Sequence, residues 1–100
     1  MTSFRQKVFA IVARIPRGKV STYKEVARAA GRPRAVRAVG NILRTNRLLK
    51  KIPCYRVIKS DGRIGGYVLG IKEKARRLRA DGISIRGDKI EKRFIRTFRP

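Results

Sequence analysis

Residues 22–43 have the sequence TYKEVARAAGRPRAVRAVGNIL, which predicts two short helices joined by a tight turn. Thr22 and Glu25 form the capping-box pattern that opens a helix, and Gly31 is a favourable C-terminal cap for it. Pro33 stands where a second helix would begin. One side of that second helix carries small and apolar residues, namely Ala35, Val36, Ala38, Val39, Ile42 and Leu43. With arginines on the remaining surface, this arrangement is typical of a helix-turn-helix.

The flanking segments extend this motif into one small domain. Ser3 and Gln6 predict a capped first helix, whose apolar residues recur at helical spacing at Phe4, Val8, Ile11, Val12 and Ile15. Further along we expect a buried strand at 52–58, a turn at 60–63, an extended segment at 64–67, a helix at 71–80, a short strand at 83–85 and a basic helix at 89–96. A helix-turn-helix followed by a small β-wing predicts a single, mainly α winged-helix domain over residues 1–100.

Positive charge dominates the composition, with 28 Lys and Arg against 6 Asp and Glu and a net charge of +22. Self-repulsion on this scale weakens a compact state unless a polyanion neutralises it. Nucleic acid is the first candidate partner and an anionic membrane the second. Ten Lys and Arg but no acidic residue lie between Val26 and Ser60, which favours phosphate binding there. We expect Lys24, Arg32, Arg37 and Ser60 to contact DNA, although a solvated surface stays open as an alternative.

Several classes of protein are excluded by what the chain lacks. Without histidine and with one cysteine, it cannot form a Cys/His zinc site or a Ser-His-Asp or Cys-His catalytic unit. We therefore expect no metal and no cofactor. No apolar run approaches the ~20 residues of a membrane span, and no signal-peptide core is present. A single cysteine also forms no internal disulfide, so a protein of the reducing cytoplasm is expected. We also expect a monomer.

The single cysteine, Cys54, lies in the apolar sequence IPCYRVI at residues 52–58. A lone cysteine in such a run is commonly a small core residue, and that interpretation stays open on this evidence. A nucleophilic thiol is the alternative. It must be ionised to react, and Arg56 together with the general positive field would favour the thiolate if they reach it.

This heptad resembles the active-site motif of the O6-alkylguanine-DNA alkyltransferases, which has the sequence Pro-Cys-His-Arg-Val. Other motifs fall in order at that family's spacing, namely Ser21-Thr22-Tyr23, Arg37-Ala38-Val39-Gly40, Asn46, Gly65-Gly66-Tyr67 and Asp81-Gly82. The resemblance covers about residues 4–82 and leaves out the basic tail at 83–100. The family's additional N-terminal domain has no counterpart here, a layout shared with the small alkyltransferase-like proteins.

The resemblance implies a role for each matched residue. Cys54 corresponds to the thiol that attacks the alkyl carbon on guanine O6 and keeps the group as a thioether, so that each molecule acts once. Arg37 corresponds to the side chain that enters the duplex where the damaged nucleotide was, and Tyr23 to the residue that crowds the phosphate and promotes flipping. Four further positions are implied to be a hinge, a pocket wall, a lysine beside the site and the partner of the catalytic histidine, namely Asn46, Tyr67, Lys74 and Asp81.

Two departures from the family's pattern concern the chemistry. Tyr55 replaces the histidine that passes on the thiol's proton through a water, and a phenol with a pKa near ~10 is a poor base at neutral pH. Tyr55 could still hold that water with Asp81 behind it. Alternatively, Asp81 only balances neighbouring charge on Arg76, Arg77 and Arg79. Val68 replaces a serine, which removes a hydroxyl that would face the guanine.

Three functions from different classes follow. The first is single-turnover DNA repair, in which O6-alkylguanine in duplex DNA transfers its alkyl group to Cys54. The second is a sensor that binds alkylated DNA without reacting; alkyltransferase-like proteins of this kind usually lack the cysteine, so Cys54 argues against it. The third is a winged-helix protein that binds nucleic acid through charge alone, with a steep dependence on salt.

Overall fold

Short helices and two-residue strands build the domain in the computed structural model, which describes residues 2–98. The helices are α1 (Phe4–Ala13), α2 (Tyr23–Ala29), α3 (Val36–Leu43) and α4 (Ile71–Ala80). The strands are β1 (Ser21–Thr22), β2 (Val57–Ile58), β3 (Ile85–Arg86) and β4 (Lys89–Ile90). Single turns of 3₁₀ helix occupy Cys54–Arg56 and Lys92–Phe94. Among residues 2–98, no helix combines the length and apolar character that crossing a membrane requires.

The predicted helix-turn-helix is present as α2 and α3, which pack on each other and on α1. Ser3 and Gln6 form the full reciprocal capping box of α1, whereas Thr22 forms only half of one on α2. The third helix begins at Val36, three residues later than predicted. Pro33 instead occupies the second position of a turn that closes with the Ala35 N–H donating to the Arg32 carbonyl at 2.9 Å, a position that proline favours.

Two strand pairs support residues 57–67, the segment that we call the wing. β1 runs parallel to β2, with Ser21 opposite Val57, and β3 runs antiparallel to β4, with Ile85 opposite Ile90. The hairpin of β3 and β4 also joins the segment before α4, since the Ile90 N–H donates to the Gly62 carbonyl at 2.8 Å. A helix-turn-helix with this attached β structure is the predicted winged helix, so the expected fold class is confirmed.

The prediction of a buried strand at 52–58 was wrong for most of its length. Only Val57 and Ile58 are strand, and Cys54–Arg56 form a 3₁₀ turn. Pro53 has no N–H to give to a strand partner, and its carbonyl accepts the Arg56 N–H at 2.9 Å to close the turn. The turn separates neighbouring side chains, because Cys54 packs with the helices while Tyr55 packs with the wing.

The predicted basic helix at 89–96 was also wrong. Gly87, with a φ of 63°, allows the chain to reverse between β3 and β4, and the turn at Lys92–Phe94 is followed by extended chain. The strand predicted at 83–85 is shifted to Ile85–Arg86. The tail is part of the folded domain, since Phe98 is buried among the residues of α1 and α2.

Candidate functional site

A cleft of about 730 Å³ opens between α3, the N-terminal end of α2 and the segment that precedes α4. Its lining contains six of the predicted site residues, namely Tyr23, Arg37, Cys54, Ser60, Tyr67 and Val68. Residues from sequence positions 23 to 68 therefore meet in one place. A cleft of this size accommodates a small molecule or a single nucleobase with its substituent.

Cys54 lies in this cleft with only 5% of its surface exposed. Burial raises the pKa of its thiol, while the neighbouring Asn46 amide and the charges of Lys74 and Arg77 act in the opposite direction. The expectation that Arg56 would favour the thiolate was wrong, because that guanidinium donates to Asp81 at 2.9 Å and to the Ile15 carbonyl at 2.9 Å. The cations that act on the thiol come from α4 instead.

Asn46 holds the loop that leads to the thiol. Its side chain is buried, and its amide nitrogen donates to the Ile52 carbonyl at 2.8 Å while its oxygen accepts the Leu48 N–H at 2.9 Å. Both ends of the loop are thereby tied to one side chain. This contact agrees with the position of a hinge beside the thiol, the role that the resemblance implies.

The side chains of Tyr55 and Asp81 are hydrogen-bonded to each other, an arrangement that the resemblance to the family suggests. The Tyr55 hydroxyl donates to Asp81 Oδ2 at 2.8 Å, and burial followed by this hydrogen bond raises the pKa of the phenol. Asp81 also pairs with Arg56 at 2.9 Å and with Arg17 at 3.6 Å. Its ion-pair partners therefore come from elsewhere in the chain and not from the arginines of α4 that were considered.

Lys74 is fully buried beside the site. Its Nζ donates to the Val57 carbonyl at 2.7 Å and to the Gly66 carbonyl at 3.0 Å, so it connects β2 to the segment lining the cleft. Burial lowers the pKa of Lys74 to about 7, against an opposing effect of Cys54. At neutral pH the amine therefore titrates within the range in which proton transfer is efficient.

Two tyrosines bring hydroxyl groups to the cleft. The Tyr23 hydroxyl lies 3.5 Å from the Gly66 carbonyl, at the outer limit of a hydrogen bond. The Tyr67 hydroxyl is buried and has no hydrogen-bond partner within residues 2–98. Burial raises the pKa of both phenols, so both stay protonated at neutral pH. Of the two phenols, Tyr67 is the one whose hydroxyl lacks an acceptor within the described residues.

Of the two adjacent glycines in the segment before α4, only Gly65 has a structural need for glycine. Gly65 has a φ of 71°, and a Cβ there would lie 3.3 Å from Lys59 Cγ and 3.6 Å from the Tyr23 ring. At Gly66 a Cβ would meet no atom within 4 Å. Gly65 therefore allows the chain to pass close to Tyr23, whereas Gly66 has no such steric reason.

The predicted DNA-contacting cations take different positions. Arg37 is exposed on α3 at the cleft, and Lys24 is exposed at the start of α2. The Arg32 guanidinium lies 5.1 Å from the centre of the Phe4 ring, outside the cleft. Sequence analysis missed Arg44, which lines the cleft. Its separation of seven residues from Arg37, which places both on one helical face, was the available signal.

Arg77 is a second residue that the sequence analysis did not assign to the site. It lies three residues after Lys74 on α4, a spacing that shares a helical face. Its guanidinium carbon is 5.7 Å from the centre of the Tyr67 ring, and its Nε donates to Glu73 at 2.9 Å.

Among residues 2–98, no group of three potential metal ligands lies together.

Fold and cleft together define a winged helix-turn-helix protein with a buried thiol in a pocket beside its second motif helix. The family model described as 6-O-methylguanine DNA methyltransferase, DNA binding domain, matches residues 3–83, and the chain belongs to this family. The predicted resemblance is confirmed, and with it membership of a family of alkylated-DNA binding or repair proteins.

Individual relatives agree with this assignment. The methylated-DNA–protein-cysteine methyltransferase of Methanothermobacter thermautotrophicus is 47% identical over 87 residues, which is 86% of this chain and 48% of that protein. The chain spans about half or less of the length of the curated relatives it matches first. The segment after residue 83 lies outside the family match.

Solved structures bound to DNA are among the matches. S. pombe Atl1, in complex with damaged DNA containing O6-carboxymethylguanine, superposes with a TM-score of 0.84 at 31% identity over 100% of this chain and 98% of that one. Mycobacterium tuberculosis OGT, in complex with DNA, gives a TM-score of 0.77 at 36% identity over 82% of this chain and 50% of that one. The first of these matches includes the C-terminal tail.

Proposed function

We propose that this chain repairs alkylated duplex DNA by direct transfer of the alkyl group from guanine O6 to the Cys54 sulfur. The observation that carries the proposal is the position of Cys54 in a cleft that also contains Tyr23, Tyr67 and the exposed Arg37. A structural cysteine would not require this surrounding set of donors. Family membership and the methyltransferase relatives support the same chemistry.

The guanine must leave the helix before it reaches Cys54, because a base stacked in a duplex hides its O6 substituent. Extruding a nucleotide costs a few kcal/mol. Arg37, exposed on α3 beside the cleft, fills the gap in the stack. Lys24 and Ser60 contact neighbouring phosphates and offset the cost.

In the transfer step a new S–C bond forms as the O6–C bond breaks, and the bonding electrons stay on the guanine. The thiol loses a proton and the guanine gains one, so charge is conserved overall. Lys74 supports the ionised thiol, because its positive charge lowers the pKa of Cys54. The hydroxyls of Tyr23, which now makes only a long contact to the Gly66 carbonyl, and of Tyr67 donate to the base while negative charge develops on it.

Tyr55 and Asp81 contribute as a positioning pair. The Tyr55 hydroxyl donates to Asp81 and its pKa is raised, so the phenol keeps its proton at neutral pH. The pair holds the 3₁₀ turn on which Cys54 lies, and it orients the water through which the thiol proton leaves. Val68 lines the cleft without offering a side-chain hydroxyl to the guanine.

A sensor that binds alkylated DNA without transfer is the second candidate. It is favoured by the superposition on S. pombe Atl1 along the whole of this chain and by the raised pKa of the Cys54 thiol. Binding by charge alone is the third candidate, and the net charge of +22 favours it.

Two measurements on one duplex carrying a single O6-methylguanine separate these functions. Covalent methylation of Cys54, absent from the Cys54→Ser variant, identifies the transferase. Tighter binding than to unmodified duplex without a change in mass identifies the sensor. If the protein binds both duplexes equally and its mass does not change, the chain binds DNA through charge alone.

A further inference from the structure

A second cleft, of about 950 Å³, lies between the wing and the C-terminal hairpin. Its lining includes four cations, namely Lys24, Arg86, Lys89 and Lys92. Three of these belong to the tail, whose fold the sequence did not predict. Two acidic residues, Asp61 and Glu91, also line the cleft. Glu91 pairs with Arg93 at 3.1 Å, and Asp61 pairs with Arg63 at 3.8 Å, an arginine that Asp88 shares at 3.8 Å. The charge of Lys89 also acts on Asp61, but within residues 2–98 neither acid forms an ion pair with any of the four cations.

This tail cleft continues the cleft that contains Cys54. Ser60 and Asp61 line both. On the opposite side, Thr22 lines the tail cleft and the adjacent Tyr23 lines the other. A strand of nucleic acid leaving the Cys54 cleft past Ser60 therefore reaches the four cations directly.

The tail cations lie on or next to the β3–β4 hairpin, which hydrogen bonds hold to the rest of the domain. The β3–β4 hairpin is fastened to the wing by the Ile90 N–H donating to the Gly62 carbonyl at 2.8 Å and by the Ile64 N–H donating to the Asp88 carbonyl at 2.9 Å. Ile90 itself is buried in the core of the wing. Charges held in place in this way lose less conformational entropy on binding than charges on a disordered tail.

We propose that the tail cleft binds the sugar-phosphate backbone of the same duplex that enters the Cys54 cleft, through Lys24, Arg86, Lys89 and Lys92. The inference rests on the proposed function only in that duplex DNA is the partner. Charge complementarity and continuity with the Cys54 cleft identify the occupant. Backbone contacts at this distance from the flipped nucleotide carry no sequence information and add affinity for any duplex.

The test compares two triple variants of equal charge. One carries Arg86→Gln, Lys89→Gln and Lys92→Gln; the control carries Lys7→Gln, Lys72→Gln and Arg79→Gln, three exposed residues outside both clefts. Binding to unmodified duplex is measured over a range of salt concentrations. Each lost phosphate contact reduces the slope of log K against log salt by about 0.9, so the first variant should lose about 2 to 3 units and the control less than one.

Equal slopes for the two triple variants would overturn the proposal, and so would a loss confined to single-stranded DNA or RNA. The variants Arg86→Gln and Lys89→Gln, each expected to lower the slope by about one, give the same answer should the triple variant fold poorly. All proteins are used in a Cys54→Ser background with unmodified DNA. Failure of alkyl transfer therefore leaves this result unchanged, and the two proposals fail separately.

Discussion

At the scale of single residues, Cys54 and Lys74 are both buried, and the charge of each affects the pKa of the other. Burial raises the pKa of Cys54 and lowers that of Lys74 to about 7. Each charge favours the other, so the thiolate is stabilised when Lys74 carries a proton. The arrangement supplies by electrostatics part of what a histidine next to the cysteine would supply as a base.

Replacing Lys74 with methionine should shift the pH profile of Cys54 reactivity to higher pH, because the thiolate loses its nearest cation. The rate of alkylation by iodoacetamide should fall several-fold near pH 7, where Lys74 is partly protonated, and should approach the native rate at pH 9, where the amine is neutral. The measurement is the rate as a function of pH, with Lys72→Met on the exposed side of the same helix as the control. Identical profiles for Lys74→Met and the native protein would show that the two groups do not interact.

Lys74 should also make stability depend on pH. Its folded pKa of about 7 lies below the 10.5 of an unfolded lysine, so the unfolded chain binds more protons between these values. The free energy of unfolding contributed by this group therefore rises as the pH increases from 7 to 9. Urea denaturation of the native protein and of Lys74→Met should give a difference that grows over this range, and parallel curves would contradict it.

Tyr55→Phe removes the hydroxyl that donates to Asp81 and should slow the proposed alkyl transfer, since the turn carrying Cys54 loses a tether. Removing one hydrogen bond of this kind costs about 1 kcal/mol of stability, which calorimetry measures separately. Asp81→Asn should be more damaging, because Arg56 is largely buried and loses its charge partner. Unchanged single-turnover rates in both variants would remove the pair from the mechanism.

At the scale of elements, the cleft depends on how closely the segment before α4 passes Tyr23. Gly65→Ala would impose a left-handed conformation on alanine and place its Cβ 3.3 Å from Lys59 Cγ, with an ordinary contact of 3.6 Å to the Tyr23 ring. We expect a loss of about 1–2 kcal/mol in stability and weaker binding of alkylated duplex. Gly66→Ala is the matched control, since a Cβ there meets nothing within 4 Å. If thermal unfolding and DNA binding show the two variants to be equal, close approach at Gly65 does not shape the cleft.

At the scale of the whole molecule, the C-terminal tail closes the core of the helices. Phe98 is buried, its N–H donates to Glu25 at 2.8 Å and its carbonyl accepts a hydrogen bond from Arg28. The Arg96 N–H donates to the Val20 carbonyl at 2.7 Å, just before β1. The tail thus connects the start of the helix-turn-helix to the wing, and the domain depends on residues beyond the family match.

Phe98→Ala should destabilise the domain by about 3–5 kcal/mol, because it empties a site in the core of the helices. That is a large part of the total stability of about 5–15 kcal/mol expected for a domain. Thermal unfolding measures the effect, with the exposed neighbour Thr97→Ala as the control. An equal melting temperature for both variants would show that the tail contributes little to the fold.

The sequence predicted those features that depend on local pattern. The capping residues and the apolar spacing of α1 to α4 are encoded within each helix, so element order and fold class followed from them. The packing of the tail depends on distant partners, since Phe98 meets Glu25 across 73 residues. The charges acting on Cys54 likewise come from α4. No local periodicity encodes such contacts, which is why the helix at 89–96 was wrong. The strand at 52–58 was wrong for a local reason, because Pro53 has no N–H for a strand partner and its carbonyl closes the turn.

The central claim is that the Cys54 sulfur accepts the alkyl group. The direct measurement is the intact mass of the protein, with peptide mapping, after incubation with an excess of duplex containing one O6-methylguanine. We predict a gain of one methyl group per molecule, located on Cys54 and absent from Cys54→Ser, with no further gain on longer incubation. An unchanged mass while the protein binds the alkylated duplex more tightly than unmodified duplex would contradict transfer and identify the protein as a sensor.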